Sequence, residues 1–459
     1  MALENLPSPL LLEILNRLSD SADLARCRLV SRTLRSLSYQ VSSVNVLCSR
    51  DRYLRSRATE TRHLTLPFKS VVTNLVSLHS AALDSLSIGV ERPSAAGAAW
   101  EEDDFDDSDD LHLTAVGFLS QWLPLVGGRL RSLSISDFWI QSCWRRSEAL
   151  CLISDLCCNL LNLEVRNAWL SVEGLKPMQK LTTLTLEFIR LDDEDLEKVN
   201  ECFPSLEVLH LIGVGGLKEP KIHLSKLRIC CWTVSNFPHS LTIHAPNLVE
   251  LQLKCVEPKV LHLCTPLLTN LSLIVKRPSG LVKVEKFLNL KSLSIESLDL
   301  CSLGEVLLSS KTVKKLELEA PRCTKADESS NTKTDESSNT ISFIDLVNAF
   351  PNMDELHLGP GAWYELQKTC GLEDLSISCE LGSLKKLTLR LPLLEFDTTL
   401  LFFILNHCSP CCEVVILIHA DAESATRKCI IFNCTSNFPK IRWKWGMWKE
   451  SFKDTYLDL

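Results

Sequence analysis

The chain is short of several features that would narrow its function at once. Aromatic residues make up only 7% of its 459 residues. No apolar run approaches the roughly 18–20 residues that span a membrane. The first residues lack a basic leader and include Glu4 and Glu13, so the sequence predicts no signal peptide. We therefore expect no membrane association, and a protein of the cytoplasm or nucleus.

A basic surface patch is also missing. The formal net charge is −8, and eight acids lie between residues 101 and 110, so the rest of the chain is formally neutral. Proteins that bind nucleic acids show clustered Lys and Arg, and an acidic run would repel phosphate. The sequence therefore excludes a general nucleic-acid binder. The eight acids are Glu101, Glu102, Asp103, Asp104, Asp106, Asp107, Asp109 and Asp110.

Catalytic motifs are absent as well. The sequence contains no phosphate-binding loop, no nucleophile elbow and no metalloprotease helix motif. Gly213, Gly215 and Gly216 fit a turn between structural repeats better than a nucleotide-binding loop. The sequence therefore predicts neither an enzyme nor a bound cofactor.

Cysteine is frequent, with 20 residues, but its spacing argues against a disulfide scaffold. Most cysteines lie singly or as adjacent pairs within leucine-rich segments, where a free thiol packs as a small hydrophobic group. Free thiols fit a reducing intracellular compartment. Cys408 and Cys411 have the spacing of half a zinc site, but Cys429 and Cys434 make a poor second half. We expect packed thiols there; a zinc site is the alternative.

Leucine, by contrast, recurs in a fixed order. Copies of the pattern L-x-x-L-x-L, with Ile, Val or Trp as occasional substitutes, start 21, 25, 21, 21, 20 and 22 residues apart between Leu160 and Leu290. This spacing is typical of leucine-rich repeats. Alternating leucines lie on one face of a short strand, and neighbouring strands must stack to bury them. The copies begin at Leu83, Leu130, Leu160, Leu181, Leu206, Leu227, Leu248, Leu268, Leu290, Val313, Met353, Leu372 and Leu384.

The repeats predict an α/β fold, a solenoid over residues 60–450 with a curved parallel sheet and helices on its outer side. One such helix is predicted over residues 191–203, ended by Pro204. Two insertions interrupt the period: the acidic segment 91–110 and segment 322–340, which contains the tandem octapeptides TKADESSN and TKTDESSN. Both have too few apolar residues to offset the entropy lost on ordering, so they are predicted to be flexible loops. Regulation by phosphorylation of the second is an alternative.

The residue between the paired leucines of each strand points away from the core. These residues are polar and of mixed charge, which suits recognition of a protein rather than acid–base catalysis. We expect a protein substrate to contact this face. The candidates are Glu164, Thr185, His210, Gln252, Ser272, Ser294, Glu317 and His357.

Three tryptophans cluster near the C-terminus, at Trp443, Trp445 and Trp448. The alternation in W-K-W predicts an edge strand with one buried face that caps the repeats. An aromatic interaction patch is the alternative.

The N-terminal residues 5–37 predict a helical hairpin. Ser8 is a candidate cap for the first helix, with Pro9 in its first turn, and Asp20 is a candidate cap for the second. A hairpin this short has more apolar side chains than it can bury by itself. Two apolar stripes follow helical spacing: Leu10, Ile14 and Leu18 in the first helix, and Cys27, Val30, Leu34 and Leu37 in the second.

This segment resembles an F-box over about 40 residues, 1–42. The resemblance rests on Leu6-Pro7, Leu10, the Glu13-Ile14-Leu15 triplet, Leu18, Asp23-Leu24, Cys27-Arg28 and Val30-Ser31. The family usually has an aromatic residue shortly after the Val-Ser pair, whereas Leu34 and Leu37 follow here. An F-box followed by repeats is the arrangement of the plant F-box/leucine-rich-repeat (F-box/LRR) family, which the chain resembles over nearly its full length.

The resemblance implies a function. F-boxes bind a Skp-type adaptor of cullin–RING ubiquitin ligases, so the chain would be a non-catalytic substrate-recognition subunit of an SCF-type ligase, with the repeats holding the protein substrate. A helical cap for the repeats, and a ligase-independent interaction scaffold, are the alternatives. The residues that the resemblance assigns to the adaptor interface or to the core of the module are Leu6, Pro7, Leu10, Glu13, Ile14, Leu18, Leu24 and Val30.

Overall fold

The computed structural model divides into two compact units, Met1–Asn236 and Phe237–Leu459, called here the N-terminal and C-terminal units. Each unit is described by itself. The described residues are 6–18, 20–57, 66–91, 109–138, 144–234, 238–256, 259–275, 281–284, 287–298, 300, 311–320, 342–369, 381–392, 398–449 and 452–457. Most of the acidic insertion and all of segment 322–340 lie outside them.

Three short helices open the N-terminal unit: α1 (Ser8–Asn16), α2 (Ser21–Val30) and α3 (Arg32–Ser38). The predicted Asp20 cap is confirmed, because its carboxylate accepts the Ala22 N–H at 2.9 Å. The predicted Ser8 cap is wrong, since α1 already begins at Ser8 and Pro7 precedes it.

The second predicted helix is in fact two helices. Ser31 adopts an extended backbone conformation between α2 and α3, and its hydroxyl accepts the Thr33 N–H to cap α3. The single stripe predicted from Cys27 to Leu37 is therefore wrong. Leu34 and Leu37 are buried, whereas Val30 points to solvent. A serine favours an N-cap over a helix interior, which explains the break.

A parallel sheet runs through the rest of this unit, in the order β1–β2–β3–β5–β6–β7–β9, with the short β4 paired to β5. The inward residues stand in register and are at most 1% exposed, so each strand is buried by its neighbours. They form the row Leu86, Leu133, Leu163, Leu184, Leu209 and Cys230. The strands are β1 (Ser43–Cys48), β2 (Ser85–Val90), β3 (Ser132–Ser136), β4 (Arg146–Ser147), β5 (Asn162–Leu170), β6 (Thr183–Arg190), β7 (Val208–Val214), β8 (Lys221–His223) and β9 (Ile229–Val234).

The first strand lies ahead of the predicted start at residue 60. β1 pairs with β2 through Val44 opposite Leu86 and Val46 opposite Ile88. Val41, Val44 and Val46 repeat the L-x-x-L-x-L spacing with valine throughout. The Asn16 side chain also accepts the Ser42 N–H at 2.9 Å. The helical module therefore continues directly into the repeats.

Helices form the outer side of several repeats in this unit, away from the strands. The predicted helix over 191–203 is confirmed as α8, closed at its start by a capping box between Asp192 and Asp195. Helices α5 and α6, and α6 and α7, pack side by side. The helices are α4 (Arg50–Arg57), α5 (Phe68–His79), α6 (Val116–Val126), α7 (Ala149–Leu156) and α8 (Asp193–Cys202).

The last residues of the acidic run are ordered by contacts. The Asp110 carboxylate accepts the N–H groups of Phe68 and Lys69, at 2.5 and 3.0 Å, and so caps α5 from a distant part of the chain. Asp109 accepts a hydrogen bond from Arg145 at 2.6 Å. For these two residues the prediction of a flexible loop is wrong, because free helix N–H groups attract carboxylates.

The C-terminal unit has a second parallel sheet, in the order β11–β13–β15–β16–β17–β18–β19–β20, and a short one of β10, β12 and β14. Its strands are β10 (Ser240–His244), β11 (Glu250–Cys255), β12 (Val260–Cys264), β13 (Asn270–Val275), β14 (Leu281–Val284), β15 (Ser292–Ser297), β16 (Lys315–Glu319), β17 (Glu355–Leu358), β18 (Lys386–Arg390), β19 (Glu413–His419), β20 (Arg442–Lys449) and β21 (Phe452–Leu457). Its helices are α9 (Phe343–Ala349), α10 (Pro360–Thr369), α11 (Thr399–His407) and α12 (Ser424–Asn437).

Repeat length explains where strands replace the expected outer helices. The repeats that start at Leu248 and Leu268 are only 20 and 22 residues long, and strands β12 and β14 occupy their second side. The 25-residue repeat from Leu181 has room for α8. Short coils cross the outer side in an extended form because a helix needs more residues for the same distance.

The tryptophan strand β20 is not an edge strand. It pairs in parallel with β19 and antiparallel with β21. Trp445 and Trp448 are buried, and the Trp448 indole donates a hydrogen bond to the Leu391 carbonyl at 3.0 Å. The prediction of one buried face is confirmed, while the edge position is wrong.

Candidate protein-interaction surfaces

The first candidate surface lies on the N-terminal helices. Leu10 and Ile14, one turn apart on α1, are 53% and 39% exposed, and Leu29 and Val30 at the end of α2 are 89% and 76% exposed. These four residues are called here the apolar ridge. Large aliphatic side chains left in water lose the free energy that burial would provide, so such exposure is typical of an interface.

The opposite side of α1 explains why the ridge is left outside. Leu11 and Leu15 are at most 3% exposed and bind α1 to the module. Their spacing of four residues uses one face of the helix for the core and leaves the Leu10–Ile14 face free.

The structure separates the residues that the resemblance singled out. Leu10, Ile14 and Val30 lie on the ridge, Pro7 is exposed, and Leu6 and Leu18 are half-buried. The resemblance allowed Leu24 to be either an interface residue or a core residue. It is 3% exposed and therefore a core residue. Glu13 is exposed and receives a hydrogen bond from Arg17 at 3.0 Å.

Leu29 was missed from sequence. Its exposure depends on the end of α2 at Ser31, which turns the last residues of the helix away from α3. The Leu29-Val30 pair directly before a serine was the available signal, because a continuous helix could not place both on one inner face.

Helices α2 and α3, in the same module as the ridge, are rich in arginine. Arg28 lies over the Tyr39 ring at 4.5 Å, and hydrogen bonds from Arg35 and Arg28 lower the pKa of Tyr39. Arg26 pairs with Asp23. The segment 20–38 carries four arginines and two aspartates, so α2 and α3 have a net positive charge, called here the basic margin.

The second candidate surface is the strand face of the N-terminal unit. Ser134, Glu164, Thr185 and His210 stand side by side on β3, β5, β6 and β7, as predicted from the repeat pattern. The Ser134 hydroxyl donates to Glu164 at 2.8 Å, and Thr185 and His210 are 3.4 Å apart. All four are half-buried and polar.

Next to this row lies an ion cluster. Arg166 pairs with Glu164 and, through Nε at 2.9 Å, with Glu187. Two carboxylates share one guanidinium, so the cluster keeps one negative charge.

The strand face of the C-terminal unit carries the remaining predicted residues. Gln252, Ser272, Ser294, Glu317 and His357 are neighbours in register on successive strands. Burial lowers the pKa of His357, with Glu317 acting in the opposite direction. The row is polar with one carboxylate, which differs from the charged cluster of the N-terminal unit.

Glu319 is a half-buried carboxyl group at the end of β16. Its Oε1 accepts the N–H groups of Ala320 and Gly361, at 3.0 and 3.3 Å. A Cβ at Gly359 would lie 1.6 Å from Glu319 Oε2, so only glycine leaves room for the carboxyl group. Burial raises the pKa of Glu319 to about 7.

Asp137 is fully enclosed and holds a loop rather than a ligand. Its carboxylate accepts the N–H groups of Leu113 and Thr114 at 2.7 and 2.9 Å. Burial raises its pKa, with His112 acting in the opposite direction. The Thr114 hydroxyl and the Phe138 N–H also donate to this carboxylate, so Asp137 ties the segment before α6 to the end of β3 and has a structural role.

Two further searches concern metals and membranes. Within the described ranges, no three His, Cys, Asp or Glu side chains are grouped so as to hold a metal ion. In the same part of the chain, no helix combines the length and apolarity that crossing a bilayer requires.

Together, the helical module and the leucine-lined parallel strands define a leucine-rich-repeat protein with an F-box-like N-terminus. A family model described as F-box-like matches residues 3–43. An F-box/LRR-repeat protein of Arabidopsis thaliana is 42% identical over 464 residues, which cover 99% of this chain and 100% of the relative. The chain belongs to the F-box/LRR-repeat family, and the resemblance inferred from its sequence is confirmed.

Proposed function

We propose that this chain is the substrate-recognition subunit of an SCF-type cullin–RING ubiquitin ligase. The apolar ridge binds a Skp-type adaptor, and the strand faces bind a protein substrate. The observation that supports this most is the ridge itself, because four large aliphatic side chains are exposed in the segment that matches the F-box-like model.

The surroundings of the ridge indicate the chemistry of the adaptor. Burial of a leucine-sized side chain is worth about 1.5–3 kcal/mol, so the ridge supplies binding energy at the centre of an interface. The same helical module carries the basic margin of α2 and α3. The adaptor surface is therefore apolar at its centre and acidic at its rim, and higher salt weakens the complex.

The chain does no chemistry in this scheme. It holds the substrate close to a ubiquitin-charged enzyme and so raises the effective concentration of the target lysine. Such a subunit acts in the intracellular compartments where the ligase is present.

The test is co-purification with a Skp-type adaptor after co-expression. The wild-type chain binds, whereas Ile14→Asp weakens binding at least about tenfold, because a carboxylate is costly to bury in an apolar interface. Phe432→Asp is the matched control, since Phe432 is also exposed but lies on α12.

Two results contradict the proposal. One is a wild-type chain that does not bind the adaptor; it would then fit a ligase-independent scaffold. The other is an Ile14→Asp variant that binds as tightly as the wild type while its circular dichroism spectrum is unchanged.

A further inference from the structure

One exposed aromatic residue on the N-terminal unit has an unusual backbone. Phe188, near the end of β6, has a φ of +53°. Asn167 of β5 and Gly213 of β7 each follow the register partner of Glu187, and their φ angles are +56° and +63°. Bulky residues rarely adopt this left-handed region. At Phe188 two consecutive side chains, Glu187 and Phe188, point away from the core, as in a β-bulge.

Core packing does not explain the conformation. The side chain of Phe188 is 56% exposed. Its ring lies against Gly213, where a Cβ would be 2.7 Å from the ring. The strained backbone of Phe188 directs its ring to solvent, and the missing side chain of Gly213 leaves room for that ring. Such strain is concentrated at binding sites.

A cation follows Phe188 on the same strand. Arg190, two residues further along β6, lies 4.4 Å from the ring centroid of Trp169. Trp169 and Arg190 are partners in register. Among the described residues, no carboxylate forms an ion pair with Arg190. A guanidinium fixed by an aromatic ring, with its N–H groups unpaired by acid, is prepared to bind a carboxylate.

A second arginine lies beside the same indole. Arg146 is the partner of Trp169 on the other side, so two arginines flank the indole. The acid nearest to Arg146 is Asp195 at 3.9 Å, which is already engaged in the capping box of α8. The row Arg146–Trp169–Arg190 therefore keeps a positive charge.

We propose that Phe188, Trp169 and Arg190, called here the Phe188 corner, form a binding site for a protein segment in which an Asp or Glu lies beside an apolar residue. The apolar side chain packs on Phe188, and the carboxylate accepts hydrogen bonds from Arg190. The assignment of this segment to the ligase substrate rests on the proposed function. The binding chemistry of the site is independent of that function.

The test uses the purified full-length chain and a random linear peptide library displayed on phage. Enriched peptides share an Asp or Glu next to an apolar residue. A synthetic peptide of the enriched sequence binds about tenfold more weakly to Phe188→Ala and to Arg190→Glu, as expected of residues at the centre of an interface. Exchange of its acid for Lys restores binding to Arg190→Glu. Phe432→Ala and Arg228→Glu are matched exposed controls that bind normally.

A second variant separates binding from folding. Glycine adopts a left-handed backbone without strain, so Phe188→Gly keeps or raises the Tm while peptide binding is lost. A lowered Tm with normal peptide binding would show that Phe188 supports the fold and would overturn the site. Enrichment of peptides without acids, no enrichment at all, or equal binding by Phe188→Ala overturns it as well.

The adaptor experiment distinguishes this failure from that of the proposed function. Phe188→Ala and Arg190→Glu co-purify with the Skp-type adaptor as the wild type does, because the apolar ridge is unchanged. If the peptide experiment fails while the wild-type chain binds the adaptor, only the proposal for the Phe188 corner is refuted. A wild-type chain that binds the peptide but no adaptor refutes only the ligase.

Discussion

The helical module and the strands of the N-terminal unit use the same aliphatic residues for opposite purposes. In the strands, each inward leucine is buried by the coil before it and the coil after it. In the module, α1 is covered on one face only, by contacts with α3. Leu11 and Leu15 are therefore core residues, and Leu10 and Ile14, one position away, are surface residues. Burial is decided by the neighbours that the topology provides and not by residue type.

The largest expected difference between these regions comes from placing a charge in each. Leu184→Asp puts a carboxylate between Leu163 and Leu209 and is expected to cost about 4 kcal/mol or more of unfolding free energy. Ile14→Asp changes it by less than about 0.5 kcal/mol. Urea denaturation followed by circular dichroism measures both. Equal losses would mean that the ridge belongs to the core.

Within the module, truncation sharpens the same contrast. Leu24→Ala is expected to lower stability by about 2–3 kcal/mol, because it leaves a cavity. Leu29→Ala leaves stability unchanged but weakens adaptor binding about tenfold, the cost of a lost buried leucine. Thermal melts and adaptor titration of the two variants give the comparison. A Leu29→Ala variant with normal binding would remove Leu29 from the interface.

A smaller effect is expected from pH, and it has opposite signs in the two units. Burial, aided by the charge of Arg28, lowers the pKa of His79 from 6.5 to about 4. The unfolded chain takes up this proton below about pH 6.5 and the folded chain only near pH 4. The contribution of His79 is therefore fully present above pH 6.5 and lost as pH falls, by about 2 kcal/mol at pH 5.

Glu319 in the C-terminal unit behaves in the reverse way. Its pKa is raised from 4.5 to about 7 by burial, so the folded chain takes up the proton first. Its contribution is fully present below pH 4.5 and is lost as the pH rises through 7. On acidification from about pH 8 to pH 5, hydrogen exchange corrected for intrinsic rates should show a loss of protection around His79 and a gain around Glu319. His79→Leu and Glu319→Gln each abolish one trend, and a trend that survives its variant has another cause.

The strands could be predicted from sequence because alternating leucines lie on one face of a strand and need neighbouring strands to bury them. Leu181, Leu184 and Leu186 fall in β6 and just before it, as the pattern requires. The valine version at Val41–Val46 carries the same signal and was missed because it follows the helical module without a break. Strands in place of outer helices could have been predicted from the shorter repeats alone.

Surface details were harder to predict because they depend on single backbone torsions. The exposure of Leu29 follows from the extended conformation of Ser31. The left-handed conformation of Phe188 has no signal in its own strand, and the hints in the sequence are Asn167 of β5 and Gly213 of β7, residue types that adopt this region readily. Residues that pack inward obey periodicity, whereas these two depend on local geometry that periodicity does not contain.

Strand β21 has a consequence for how the chain avoids joining with copies of itself. A parallel sheet can in principle be lengthened without limit, since each coil leaves a row of unpaired backbone groups for the next. β21 reverses direction and takes the hydrogen bonds of β20 from Trp445 to Lys449. Along Trp445–Lys449 another copy of the protein finds no free edge to extend, so the reversed strand hinders end-to-end fibre growth.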